Sequence, residues 1–120
     1  MGGHRDLLVR QRSMRLVKEI YSHTSTFPRH ELYGLASQLR RAAVSVPSNL
    51  AEGASRNSRG EFRQFIGTAR GSLAEVETQL EIARDLGYLP QDVSHTLLAE
   101  VDEISRMLAG LRDWSDRAAG

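Results

Sequence analysis

The chain contains no cysteine. That excludes a disulfide framework, a thiolate nucleophile and any thiolate metal site. Proline is scarce, with three in 120 residues, so few positions forbid a long helix. Aromatic residues make up only 6% of the chain, which makes stacking on unpaired bases a poor first choice of chemistry. No apolar run approaches the roughly 20 residues that span a bilayer. No long apolar segment follows the early charges of Met1–Asp6, as a secretory leader would require. The expectation is a soluble, cytoplasmic protein with no membrane association. Its length fits one domain, residues 1–120, with a core adequate for independent folding.

What is present is helical periodicity. Leu32, Leu35, Leu39, Ala42, Val46 and Leu50 recur at spacings of three and four. So do Phe62, Ile66, Ala69, Leu73, Val76, Leu80 and Ala83, and then Leu97, Val101, Ile104, Leu108 and Leu111. Each set is the apolar seam of a packed helix. Phe27-Pro28, Ser58-Arg59-Gly60-Glu61 and Gly87 with Pro90 punctuate the chain; the second is a capping box. These signals predict helices over about 5–25, 29–55, 59–86 and 91–116. Short connections force sequential helices to run antiparallel. The expected fold is all-α, an antiparallel up-down-up-down four-helix bundle that oligomerises. No β-type alternation competes with it.

Pro47 falls inside the second helix, in "RRAAVSVPSNLAEG". An interior proline removes a backbone donor and crowds the carbonyl four residues earlier, at about 3 kcal/mol. It frees the carbonyl of Ala43, and Ser45, Ser48 and Asn49 are near enough to compete for freed backbone groups. A bend there would wrap the helix around the bundle and turn Arg40 and Arg41 outward; a tolerated kink is the plainer alternative.

Net charge is only +1, but it is segregated. Residues 1–70 hold 12 Lys/Arg and 5 Asp/Glu, a net of +7; residues 71–120 hold 4 and 10, a net of −6. Basic and acidic helices pairing with one another would explain this, and so would an anionic partner for the first half. The candidate phosphate contacts are Arg12, Arg15, Lys18, Arg40, Arg41, Arg56, Arg59, Arg63 and Arg70. In a hairpin turning near Asn57, Glu52 comes level with Arg63 and Arg40 with Glu75, so some of these cations are candidates for ion pairs instead.

Two faces exceed what one core seam needs. On the first helix, Val9, Leu16 and Ile20 mark one stripe, and Leu7, Met14, Val17 and Tyr21 a second about 115° away. The second stripe fits a wide core contact or a subunit interface, and the interface is the expectation. On the third helix Gly60, Gly67, Gly71 and Ala74 lie opposite the seam, with Arg59, Arg63 and Arg70 beside them. Exposed mid-helix glycine costs about 1 kcal/mol relative to alanine, so Gly67 and Gly71 point to a close approach by another subunit or by a phosphate backbone.

Catalytic chemistry finds no footing. The serines fall at caps and on polar stripes, without a base and an oxyanion site beside them. None of His4, His23, His30 and His95 stands in the Glu-x-x-His pattern of bundle di-iron sites. Glu19 and His23 alone make a surface pair rather than a metal site. No enzyme activity, cofactor or metal is expected.

"FPRHELYGLASQLRRAAVSVPSNLAEGASR" followed by "EFRQFIGTARGSLAEVETQLEIARDLGYL" resembles the four-helix-bundle family founded on proteins encoded in intervening sequences of bacterial 23S ribosomal RNA genes. The resemblance spans about residues 5–112. It rests on Gln38, Arg40, Arg41, Pro47, Asn49, Glu52, Gly53, Glu75 and Glu77. A looser likeness extends to the accessory variability protein of diversity-generating retroelements, which partners a reverse transcriptase. The resemblance implies a ring-like pentamer with a basic surface and a nucleic-acid-related role, and it supplies no catalytic residue. Together these readings predict a non-enzymatic homo-oligomer that binds nucleic acid electrostatically, RNA ahead of DNA. The alternative is an interaction scaffold or accessory subunit of a nucleic-acid enzyme, docking through its acidic second half and the Met107, Leu111, Trp114 stripe; a place for that stripe in the core or the subunit interface is the favoured reading of those three residues.

Overall fold

A computed structural model describes residues 3–119. Four helices follow one another: α1 (Gly3–Thr24), α2 (Leu35–Ala54), α3 (Arg59–Asp85) and α4 (Gln91–Ala119), with a short 3-10 turn at Arg29–Glu31. Each helix packs on two neighbours, α1 on α2 and α4, α3 on α2 and α4, and the diagonal pairs do not approach closely. The result is a four-helix bundle about 49 Å long. All the seam residues of α3 and α4 named above are buried, as are Val9, Leu16 and Ile20 of α1. Half of the expected capping box forms at the start of α3: the Ser58 hydroxyl accepts from the Glu61 amide at 3.1 Å, while the Glu61 carboxylate meets that hydroxyl at 3.3 Å instead of the Ser58 backbone amide. Leu111 is buried, and Met107 and Trp114 pack against the core. The favoured core placement of this stripe therefore holds, and it is not left free as a docking surface.

The second helix differs from expectation. It does not run from residue 29; it starts at Leu35. The cause is local. Gly34 has non-helical dihedrals (φ −108°, ψ −114°), and the Glu31 carboxylate folds over it to accept from the Leu35 amide at 3.1 Å. A β-carbon on Gly34 would lie 2.6 Å from that carboxylate oxygen, so glycine leaves room for the cap. The consequence is that Leu32 leaves the core seam and is 46% exposed, and Tyr33 beside it is 92% exposed.

Pro47 is accommodated without ending α2, and its ring is buried. Beside it the Asn49 amide donates to the Ser45 carbonyl at 2.8 Å and to the Ser45 hydroxyl at 2.9 Å. That hydroxyl in turn meets Ser72 of α3 at 2.8 Å. The side chains expected to compete for backbone groups thus form a polar tie between α2 and α3, while Ser48 faces outward. Farther along, Gly53 lets α2 approach α3 closely. A β-carbon there would meet the Phe65 β-carbon at 2.9 Å and the Phe62 ring at 3.4 Å.

Two carboxyl groups are tuned in opposite senses. Asp6, in the first turn of α1, is only 2% exposed and sits 3.6 Å from Arg10. Burial pushes its carboxyl up despite that cation. Glu31 is held down, first by the Leu35 amide, then by the Tyr88 hydroxyl, which donates to it at 2.9 Å, with His30 adding a smaller pull. A carboxyl raised in the folded state costs stability above its raised value, and the cost is relieved as pH falls through it. A carboxyl lowered in the folded state stabilises above its ordinary value, and that contribution is lost as pH falls through the lowered one.

Two predictions follow from this packing. Gly53→Ala overpacks the α2–α3 contact at about 1–3 kcal/mol, more than the at most ~1 kcal/mol of helix propensity it gains. Chemical denaturation should therefore show a lower midpoint, whereas Gly67→Ala, with nothing within 4 Å of the added carbon, should not be destabilised as a protomer. For Glu31→Gln, the stability deficit against the parent should be full near neutral pH. It should shrink as the pH falls below the ordinary glutamate value of 4.5; a deficit that is constant down to about pH 3 would contradict the cap's charge dependence.

Candidate nucleic-acid interface

The nine cations expected to meet phosphate divide into three groups. Arg12, Arg56 and Arg63 are engaged by carboxylates. Arg12 of α1 donates twice to Glu100 of α4, at 3.0 and 3.2 Å, and this hydrogen bonding raises the guanidinium's already high pKa. Arg56 reaches Glu52 at 3.0 Å and lies 3.9 Å from Glu61, with its guanidinium 5.0 Å from the centre of the Phe65 ring. Arg63 pairs with Asp116 at 2.9 Å. The expected levels, Glu52 with Arg63 and Arg40 with Glu75, are not the pairs that form. Arg63 lies on the α4 flank of the α3 seam, and Ser72 and Phe65 lie on the α2 flank. Glu52 therefore turns to its own helix neighbour, Arg56.

Arg40 forms a group of its own. Its guanidinium lies 4.8 Å from the Tyr21 ring centre, and its Nε donates to the Thr24 hydroxyl at 2.9 Å. No carboxylate approaches it among the described residues.

Arg15, Lys18, Arg41, Arg59 and Arg70 make up the third group and form no ion pair among the described residues. Arg70 is half-buried and the other four are exposed. Arg59 donates only to the Ser115 carbonyl, at 3.4 Å. Arg70 lines a shallow groove with Gly71, Ala74 and Glu77 of α3 and Ser105 of α4. Arg59, Arg63 and Arg70 do share the α4 flank of α3, beside the open strip of Gly60, Gly67 and Gly71, none of which has a neighbour within 4 Å of an added β-carbon. Arg15 and Lys18 stand on α1, the helix diagonal to α3. One protomer therefore presents its free cations on separate surfaces rather than as one patch.

Most of the second stripe of α1 lies outside the core, with Val17 alone of its four residues packed against it. Leu7, Met14 and Tyr21 are exposed, and Val17 is half-buried. Met14 and Val17 line an apolar groove of about 370 Å³ with Val44, Pro47 and Ala51 of α2. A larger groove of about 610 Å³ opens on the same side, at the α1–α2 connection. Tyr21, Tyr33, Arg40 and Arg41 form its walls, with Ser37 and Ser45 at hand. Of these, Tyr33 went unnoticed in the sequence. Its signal was faint: an aromatic residue immediately before the glycine that breaks the helix.

Among the described residues no group of three or more His, Asp or Glu side chains is placed to hold a metal ion. No helix among them is long and apolar enough to cross a membrane.

The fold is similar to a crystal structure described as a protein of unknown function from the S23 ribosomal protein family of Bacteroides thetaiotaomicron. The two chains are 19% identical, with a TM-score of 0.84, over 91% of this chain and 98% of that one. No curated protein matches the chain. The family model for the 23S rRNA-intervening sequence protein matches residues 5–110. That match runs from the first turn of α1 through most of α4, and the chain belongs to that family.

Proposed function

We propose that this protein is a non-enzymatic homo-oligomer that binds nucleic acid through its uncompensated arginines and Lys18. The observation that carries the reading is that Arg15, Lys18, Arg41, Arg59 and Arg70 face outward or line surface grooves without an acidic partner among the described residues. Guanidinium groups left in this state suit phosphate, which they engage with two parallel donors. The nucleic-acid-related role that the family resemblance implies is the ground for taking RNA ahead of DNA as the polyanion.

Surfaces suited to self-association support the same reading. The free cations of one protomer are dispersed, so a single copy grips a strand weakly. Repeating them around an assembly raises the effective concentration of each contact and multiplies affinity. The Met14–Val17 groove over Val44 and Pro47, with Leu7 and Tyr21 beyond it, supplies an apolar surface for a second copy. Gly67 and Gly71 supply a strip on α3 where a neighbouring backbone can come close. Five subunits is the number that the family resemblance suggests.

Binding of a fluorescein-labelled RNA oligonucleotide, followed by anisotropy at increasing salt, tests this reading. Each neutralised phosphate contributes about −0.7 to −0.9 to the slope of log K against log salt. The parent should show a slope of several units. Arg59→Ala with Arg70→Ala should weaken binding across sequences and reduce the slope by about 1–2 per protomer engaged. Affinity that stays flat between low and moderate salt would overturn the mechanism.

A further inference from the structure

The 610 Å³ groove at the α1–α2 connection differs in kind from the rest of the basic surface. Elsewhere the free cations stand on helix faces or, as Arg70 does, in a groove that also holds Glu77 and no aromatic ring. Here two arginines and two tyrosines converge, and no Asp or Glu is among the lining residues. The volume lies within the roughly 300–1,000 Å³ typical of small-ligand sites. From these side chains we infer a site for an unpaired nucleotide of single-stranded RNA, its base stacked on Tyr33 and its phosphate held by Arg40 and Arg41. The inference rests on the nucleic-acid reading above and names the form of nucleic acid that this groove takes.

The geometry supports each part. Tyr33 projects from the turn that Gly34 and Glu31 create, and it is 92% exposed, so both ring faces are open. An aromatic ring left in water beside cations is what a nucleobase stacks on, whatever its sequence. Arg40 is already oriented. Tyr21 carries its guanidinium on one ring face, and the Thr24 hydroxyl accepts from its Nε, while its Nη groups have no hydrogen-bond partner among the described residues. Prepositioning of this kind lowers the ordering cost of binding. Arg41 follows on the exposed side of α2 with no ion pair. Ser37 and Ser45 line the same groove and offer hydroxyls to a ribose or a base edge. A duplex cannot use the site, because its bases are stacked inside the helix and only its phosphates reach the arginines. The scarcity of aromatic residues in the chain argued against stacking, but the fold brings two of its three tyrosines to one groove.

The test compares a single-stranded RNA of about 12 nucleotides, labelled with fluorescein, with the blunt duplex of the same length, both by anisotropy. Tyr33→Ala should lose about tenfold in affinity for the single strand and keep the parent's affinity for the duplex. Tyr33→Phe, which retains the ring, should bind both as the parent does. Arg59→Ala, outside the groove, should weaken both forms alike. Because Tyr33 is exposed, unchanged circular dichroism is expected for all variants. Equal single-strand affinity for Tyr33→Ala and parent would overturn the site, as would an equal loss on the duplex. So would a change in elution volume for Tyr33→Ala, which would make the groove a subunit contact. If Arg59→Ala weakens binding and Tyr33→Ala does not, the site alone falls. If the parent binds neither RNA at low salt, the nucleic-acid reading falls and the site falls with it.

Discussion

Burial of one continuous apolar seam per helix governs everything else about this molecule. Val9, Leu39, Val46, Ala69, Val76, Ala83, Ile104 and Leu108 are all fully shielded from water, and burying side chains of this kind supplies most of a bundle's stability. The seam leaves almost no interior place for the 31 charged side chains; among the described residues Asp6 is the deeply buried carboxylate, and Arg10 lies 3.6 Å from it on the next turn. Charge is therefore forced outward, and its fate is decided by register. Where a cation comes level with an acid on the adjacent helix, as Arg12 does with Glu100, it becomes part of the scaffold. Where it does not, it remains available to an external anion. The same constraint that builds the bundle thus sorts its arginines into structural and free.

The start of α2 shows how a small local choice shapes the surface. Glu31 caps the helix across Gly34, and Tyr88 of the α3–α4 connection braces the same carboxylate from the other side. Phe27 packs near Tyr88 with ring centres 5.4 Å apart. These contacts fix the connection between α1 and α2 as a shaped corner. Leu32 and Tyr33 are turned out of the core there, and Arg40 is drawn toward Tyr21 and Thr24. A helix that ran unbroken from residue 29 would have placed Leu32 in the seam and left no groove.

The seams of α3 and α4 were readable residue by residue, because a period of 3.6 depends only on neighbours along the chain. The cap at Ser58 was readable for the same reason. The early end of the second-helix pattern was not, because Leu32 keeps the period while Gly34, three residues from Glu31, breaks it through a side-chain cap that a wheel does not display. Partners across the bundle were less legible still. A wheel locates Arg63 on a face but does not say that this face borders α4, so Asp116, 53 positions away, was not foreseen. Arg12 and Glu100 are 88 positions apart and depend on α1 and α4 lying side by side in register. Gly53 was noticed only as part of the family pattern. Its physical reason, the nearby Phe62 and Phe65, becomes visible once α2 and α3 are packed.

The central claim is that arginines left without acidic partners on the bundle surface hold nucleic acid. The most direct measurement is nucleic-acid against protein absorbance across a size-exclusion peak at low salt, before and after nuclease, with mass read by light scattering. The account predicts a multi-subunit peak whose nucleic-acid absorbance is high as isolated and falls after digestion. A peak with the absorbance ratio of protein alone, unchanged by nuclease and by added RNA, would contradict it.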